Sequence, residues 1–68
     1  MLKLSIFSMD KRETFLKIYS NLALNLREEI ILVINKKPIT WNVAYLEIKN
    51  NTKMGEKILS KLNQLKIL

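Results

Sequence analysis

Residues 39–48, Ile39-Thr40-Trp41-Asn42-Val43-Ala44-Tyr45-Leu46-Glu47-Ile48, decide the fold because they read in two ways. As a strand, Ile39, Trp41, Val43 and Tyr45 alternate with Thr40, Asn42, Ala44 and Leu46. The β-branched and aromatic side chains among them suit a pleated surface. As a helix, Thr40 offers a side-chain oxygen to the free amides of the first turn. Trp41, Ala44, Tyr45 and Ile48 then share one face. Val43 and Leu46 fall where polar residues belong. We read the stretch as a very short strand, Ile39-Thr40, followed by a helix over 41–49.

The sequence on either side fits this choice. Upstream, Glu29-Ile30-Ile31-Leu32-Val33-Ile34 is short, continuous and β-branched, which predicts a buried strand. Asn35-Lys36-Lys37-Pro38 follows as a turn, with Pro38 stopping the ladder because it lacks an N–H. Ile39-Thr40 then returns as the second strand of a hairpin. Downstream, Asn50-Asn51 ends the helix and Thr52 caps another over 53–65. Met54, Ile58, Leu62 and Leu65 form its apolar face, with Leu59 beside them. Gly55 in the first turn weakens that helix, and marks a place where another backbone can come close. Lys61 and Lys66 suit the negative end of the helix dipole.

Nearer the N-terminus, Asp10 and Glu13 have capping-box spacing, and Phe15, Ile18, Tyr19 and Leu22 make one helical face. Glu13 and Lys17 are four apart in the favourable order. The spacing predicts a helix over 10–20 that ends at Ser20-Asn21, where Asn tolerates a left-handed cap. Residues 22–26 read either as more helix or as an apolar loop. Leu2, Leu4 and Ile6 alternate with Lys3 and Ser5, which fits an extra short N-terminal strand. Alternatively, 1–8 are a dispensable extension before a start at Met9. The expected fold is therefore α+β: one small domain over 1–68, in the order helix, short β-hairpin, two C-terminal helices.

With no Cys and no His among 68 residues, disulfides and zinc or copper sites of the usual kind are excluded. So short a chain buries only about 60% of its unfolded surface. Here 49% of residues are apolar, more than one small monomer hides easily, so a homodimer is expected. The net charge of +6 favours acidic partners: nucleic acid, anionic lipid or an acidic protein face. The longest apolar run, Ile30–Ile34, is far shorter than the ~20 residues a membrane span requires. Residues 1–7 are too short and too poor in basic residues for a secretory signal. A cytoplasmic location is expected.

Two groups of residues are candidates for function. Lys53, Lys57 and Lys61 recur every four residues on one flank of the last helix, and Lys49 extends the row across the turn. They are candidate phosphate contacts, or lysines whose stems cover the core edge while their heads stay in water. Trp41, Tyr45 and Tyr19, with Phe15, are candidate interface residues that could stack on bases or anchor a partner. Equally, they could be core and dimer-interface aromatics.

The two C-terminal helices and their short break resemble a helix-turn-helix in layout. That resemblance implies that Thr52, Lys53, Gly55, Glu56 and Lys57 would face DNA. The second helix lacks Arg, the commonest base reader, so such binding would lean on phosphates.

The acidic residues Asp10, Glu13, Glu28, Glu29, Glu47 and Glu56 show no metal-binding or acid–base spacing and read as caps and solvated charges. Ser5, Ser8, Ser20 and Ser60 have no His to activate them. No nucleophile elbow or phosphate-binding loop is present. No catalytic, metal or cofactor site and no small-molecule substrate are expected. The expectation is a non-enzymatic interaction module that self-associates and binds a protein partner; the alternative is a basic nucleic-acid binder.

Overall fold

A computed structural model describes residues 10–68. The extra strand expected over 2–7 and the alternative start at Met9 lie outside the described residues. The fold is α+β, with helix α1 at Lys11–Ser20, a 3₁₀ turn at Leu24–Glu28, strands β1 at Ile30–Ile34 and β2 at Lys37–Thr40, helix α2 at Trp41–Lys49 and helix α3 at Lys53–Gln64. The two strands form one antiparallel sheet.

Each helix starts on a side-chain cap, satisfying an amide that has no partner within the helix. The Asp10 carboxylate accepts from the Glu13 N–H at 2.8 Å. Thr40 Oγ1 accepts from the Val43 N–H at 3.1 Å, and Thr52 Oγ1 from the Gly55 N–H at 2.9 Å. Thr40 is both the last residue of β2 and the cap of α2. Its extended backbone, φ −87° and ψ 169°, serves both roles. This settles the ambiguity of residues 39–48 in favour of strand followed by helix.

α1 ends where expected, but for a different reason. Asn21 has φ −96° and is not left-handed. Instead, Ser20 Oγ and Asn21 Nδ2 both donate to the Lys17 carbonyl, at 2.9 and 3.0 Å, satisfying one of the last acceptors. Residues 22–26 are neither helix nor plain loop, since most of them enter the 3₁₀ turn.

The α2–α3 junction is tightly specified. Asn51 takes the left-handed conformation at φ 57°. The Asn51 N–H bonds back to the Ile48 carbonyl and the Thr52 N–H to the Glu47 carbonyl, both at 3.1 Å. This is the Schellman pattern. The buried Gly55 sits directly on this turn. A Cβ there would run into the Glu47 carbonyl oxygen and lie 2.7 Å from its carbon and 3.0 Å from Ile48 Cα. The close approach expected at Gly55 is thus made by the last turn of α2. From α1, Arg12 donates to Asn51 Oδ1 at 2.7 Å and to the Lys49 carbonyl at 3.2 Å, so all three helices meet at this corner.

The core draws on every major element: Phe15 from α1, Leu32 and Ile39 from the strands, Ala44 and Ile48 from α2, Ile58 and Leu62 from α3. Leu65, expected on the α3 face, is 54% exposed. It caps the helix, and the left-handed Lys66 that follows (φ 61°) marks where the helical stripe stops.

The hairpin differs most from expectation. Its turn is only Asn35-Lys36, both left-handed at φ 52° and 67°, because Ile34 already pairs with Lys37. This is the two-residue geometry whose twist matches the strands. Pro38 does not stop the ladder; it lies inside β2 opposite Val33. A two-stranded sheet has a free edge on each strand, and Pro fits where its missing N–H faces outward. The register shifts between Ile30 and Leu32, leaving Ile31 as a bulge. Nor is β1 a buried strand. Leu32 is enclosed, but Ile30 is 59% and Val33 56% exposed. Among the described residues, helices pack against only one side of this sheet, so they do not cover a continuous apolar run on both faces.

Candidate functional site

Lys53, Lys57 and Lys61 all reach solvent on α3. The fold then separates them. Lys57 and Lys61, with Val33, Ile34 and Asn35, line an open groove of about 250 Å³. It lies between the end of β1 and α3. Lys53 is a turn earlier and does not line it. Lys49 does not line the groove. It closes α2, with Nζ 5.6 Å from the centre of the Tyr45 ring and its carbonyl bonded by Arg12.

Asn35, which lines the groove, is the first residue of the hairpin turn, and Lys36 and Lys37 directly follow it in the chain and are exposed. The last helix thus supplies two cations to the groove, and two more follow its Asn35 in sequence. Sequence pattern alone does not single out Asn35, Lys36 and Lys37 as site residues. The adjacent lysines are visible there, but only the fold brings Asn35 to the groove that Lys57 and Lys61 line.

Glu56 directly precedes Lys57 on α3, whereas Glu28, Glu29, Glu47 and Asp10 lie elsewhere. Glu28 Oε2 accepts from Asn42 Nδ2 at 2.7 Å, at the opposite end of β1. Glu29 follows it there. From Glu29 to Asn35 the chain spans roughly 20 Å at ~3.3 Å per residue. The Glu47 carboxylate receives the Thr52 hydroxyl, and Asp10 caps α1. One end of β1 is therefore acidic and the other basic. Among the described residues, no group of three or more His, Cys, Asp or Glu could hold a metal ion.

The candidate aromatics form a connected stack at the core edge. Tyr19 and Tyr45 lie 4.3 Å apart and nearly parallel, at 7°. Phe15 packs on Trp41 at 5.7 Å and on Tyr19 at 6.2 Å. The Arg27 guanidinium sits 4.4 Å over the Tyr19 ring and donates to the Tyr19 carbonyl at 3.2 Å. Two groups this close cannot share one face of a ring, so Arg27 and Tyr45 occupy both faces of Tyr19. The Tyr19 hydroxyl donates to Asn42 Oδ1 at 2.6 Å, which carries the network on to Glu28. Arg27 Nε is buried with no hydrogen-bond partner. That costs about 1–3 kcal/mol, offset by a cation–π contact of comparable size when desolvated.

The large apolar residues that remain open among the described residues are Leu24 and Leu26 in the 3₁₀ turn, Ile30 and Val33 on β1, Val43 and Leu46 on α2, and Leu65 and Ile67 after α3. Among the described residues no helix is long and apolar enough to cross a membrane. Compared with known proteins, the chain matches no family model, and neither a curated protein nor a solved structure matches it.

Proposed function

We propose that this chain is a small, cytoplasmic, non-enzymatic interaction module that self-associates and binds a protein partner through apolar and basic surface. The observation that carries this reading is the state of β1. Among the described residues it pairs on one side only, with β2, and it exposes Ile30 and Val33. A lone two-stranded sheet is marginal in water, and further strands or a covering surface stabilise it. Open apolar side chains beside unpaired backbone groups are what strand-adding partners use. The non-enzymatic reading rests on residue types: the chain has no His or Cys, and Ser20, one of its few hydroxyl nucleophiles, spends its Oγ on the Lys17 carbonyl.

Sedimentation equilibrium over a concentration series tests self-association. The expected result is a mass rising from 8.0 kDa toward twice that value. A mass fixed at the monomer value up to millimolar protein would end the reading.

One observation favours a second reading, nucleic-acid binding: Lys57 and Lys61 line one groove with Asn35, which the exposed Lys36 and Lys37 follow in the chain. A duplex titration over a salt series checks it. Affinity should fall steeply with salt. Replacing Lys53, Lys57 and Lys61 by Ala should reduce the log–log slope by ~0.9 for each phosphate that is no longer neutralised. No binding at low salt would remove this reading.

A further inference from the structure

We infer that the surface completing the sheet is a second copy of this chain, joined β1 to β1 in antiparallel across a two-fold axis, with the acidic end of each strand against the basic tip of the other. The inference deepens the self-association proposed above and rests on it.

The two edges of the sheet are not equivalent. The β2 edge carries Lys37 and Pro38, and Pro has no N–H to donate. Lysine and proline are the residues that keep an edge from pairing. β1 is Ile-Ile-Leu-Val-Ile, with no charge and no proline. The bulge at Ile31 interrupts its first half, which leaves Leu32, Val33 and Ile34 as the regular stretch. A register centred on Val33 uses that stretch in both copies. It sets Leu32 of one copy opposite Ile34 of the other and pairs the two exposed Val33 side chains.

Charge selects both the antiparallel sense and the second copy. Glu28 and Glu29 precede β1, whereas Lys36 and Lys37 follow it. With Val33 at the axis, the start of β1 in each copy, which carries Glu28 and Glu29, falls towards the hairpin tip of the other, where Lys36 lies in the turn and Lys37 begins β2. The groove that Asn35 lines adds Lys57 and Lys61. A parallel pairing would set acid against acid and lysine against lysine. Like charges brought together at an interface oppose association, and complementary ones fix its register. The chain thus carries both halves of a self-complementary contact on one strand, as a two-fold interface requires.

The test is a charge swap with rescue by mixing, read by sedimentation equilibrium, with circular dichroism confirming that each variant is folded. One variant carries Glu28→Lys and Glu29→Lys; the other carries Lys36→Glu and Lys37→Glu. Each alone meets like charge in its own dimer and should self-associate about tenfold or more weakly than the wild type. Mixed in equal amounts they should form a heterodimer near wild-type affinity, since every acid then meets a base. If the wild type dimerises but both variants dimerise equally well, another surface holds the dimer and the inference is overturned. The same follows if the mixture associates no more tightly than either variant alone. A wild type that stays monomeric overturns the self-association reading as well, so the two failures are told apart.

Discussion

The α2–α3 corner and the β-hairpin adjoin in sequence and are held in opposite ways. At the corner, caps, a left-handed Asn51, the Gly55 contact and the Arg12 tether all favour one geometry. In the hairpin, both turn residues, Asn35 and Lys36, are left-handed without being Gly, a bulge breaks the ladder and two large apolar side chains stay in water. The corner satisfies its own backbone groups locally. Among the described residues the hairpin pairs β1 on one side only, and Leu32 and Ile39 anchor it to the helices. Local stabilisation is therefore concentrated at the corner, and the exposed side of the hairpin is the region the proposed self-association would use. Such asymmetry is expected where a surface must remain free for a partner.

The largest effect should come from breaking the corner. Gly55→Ala would gain about 1 kcal/mol in helix propensity. The new Cβ would meet backbone, which cannot rotate aside as a side chain can. Forced overpacking of this kind costs about 1–3 kcal/mol and sometimes more, and backbone contact on two residues belongs at the upper end. A chain of this size has only about 3–10 kcal/mol in total. Thermal melting should show a Tm lower by ten degrees or more, roughly 4–8 °C per kcal/mol. An unchanged Tm would mean the helices are not seated as described. Thr52→Ala at the same corner should cost about 1–2 kcal/mol through removal of the cap, whereas Thr52→Ser, which keeps the oxygen, should cost much less. Urea titration separates the two.

The same contrast governs how much of the molecule is legible in the sequence. The caps at Asp10, Thr40 and Thr52 are legible because each is a local signal: an oxygen placed three residues before a free amide. So is the role of Gly55, since one glycine in an early helical turn asks for a reason. The hairpin is not legible in detail. Whether Pro38 ends a strand or sits within it depends on how many strands the sheet has. Whether Val33 is buried depends on whether its other face is covered. Asn35-Lys36 lacks the Gly that marks a two-residue turn, so residue types alone make the turn two residues too long. The groove is hidden for a related reason. Lys57 and Lys61 stand out by period, but their separation from Lys49 and Lys53 and their union with Asn35 arise only from tertiary packing.

A smaller effect, of opposite sign, should follow from easing the hairpin. Lys36 holds φ 67°, a conformation that costs a side-chain-bearing residue about 1 kcal/mol or slightly more. Lys36→Gly removes that strain and gives the Asn-Gly pair preferred in such turns. Glycine also loses more freedom on folding, so the net gain should be about 0.5 kcal/mol. Urea titration at protein concentrations below self-association checks this. A loss of stability would show that the turn is not of this type.

The smallest expected change in stability comes from Val33→Thr, and it separates the two regions most sharply. Threonine keeps the β-branched shape and strand preference of valine but ends in a hydroxyl. Val33 is 56% exposed, so little transfer energy is at stake in the monomer. Surface changes of this kind stay within about 0.5 kcal/mol. The same substitution at Ile58 or Leu62 would place a polar group and a cavity in the enclosed core and cost several-fold more. If β1 is the contact between copies, however, residue 33 lies at its centre, where a hydroxyl would be desolvated twice in each dimer. Val33→Thr should then weaken self-association measurably while the monomer melts as before. Equal losses in both would place Val33 in the monomer core instead, and no loss in either would move the contact away from β1.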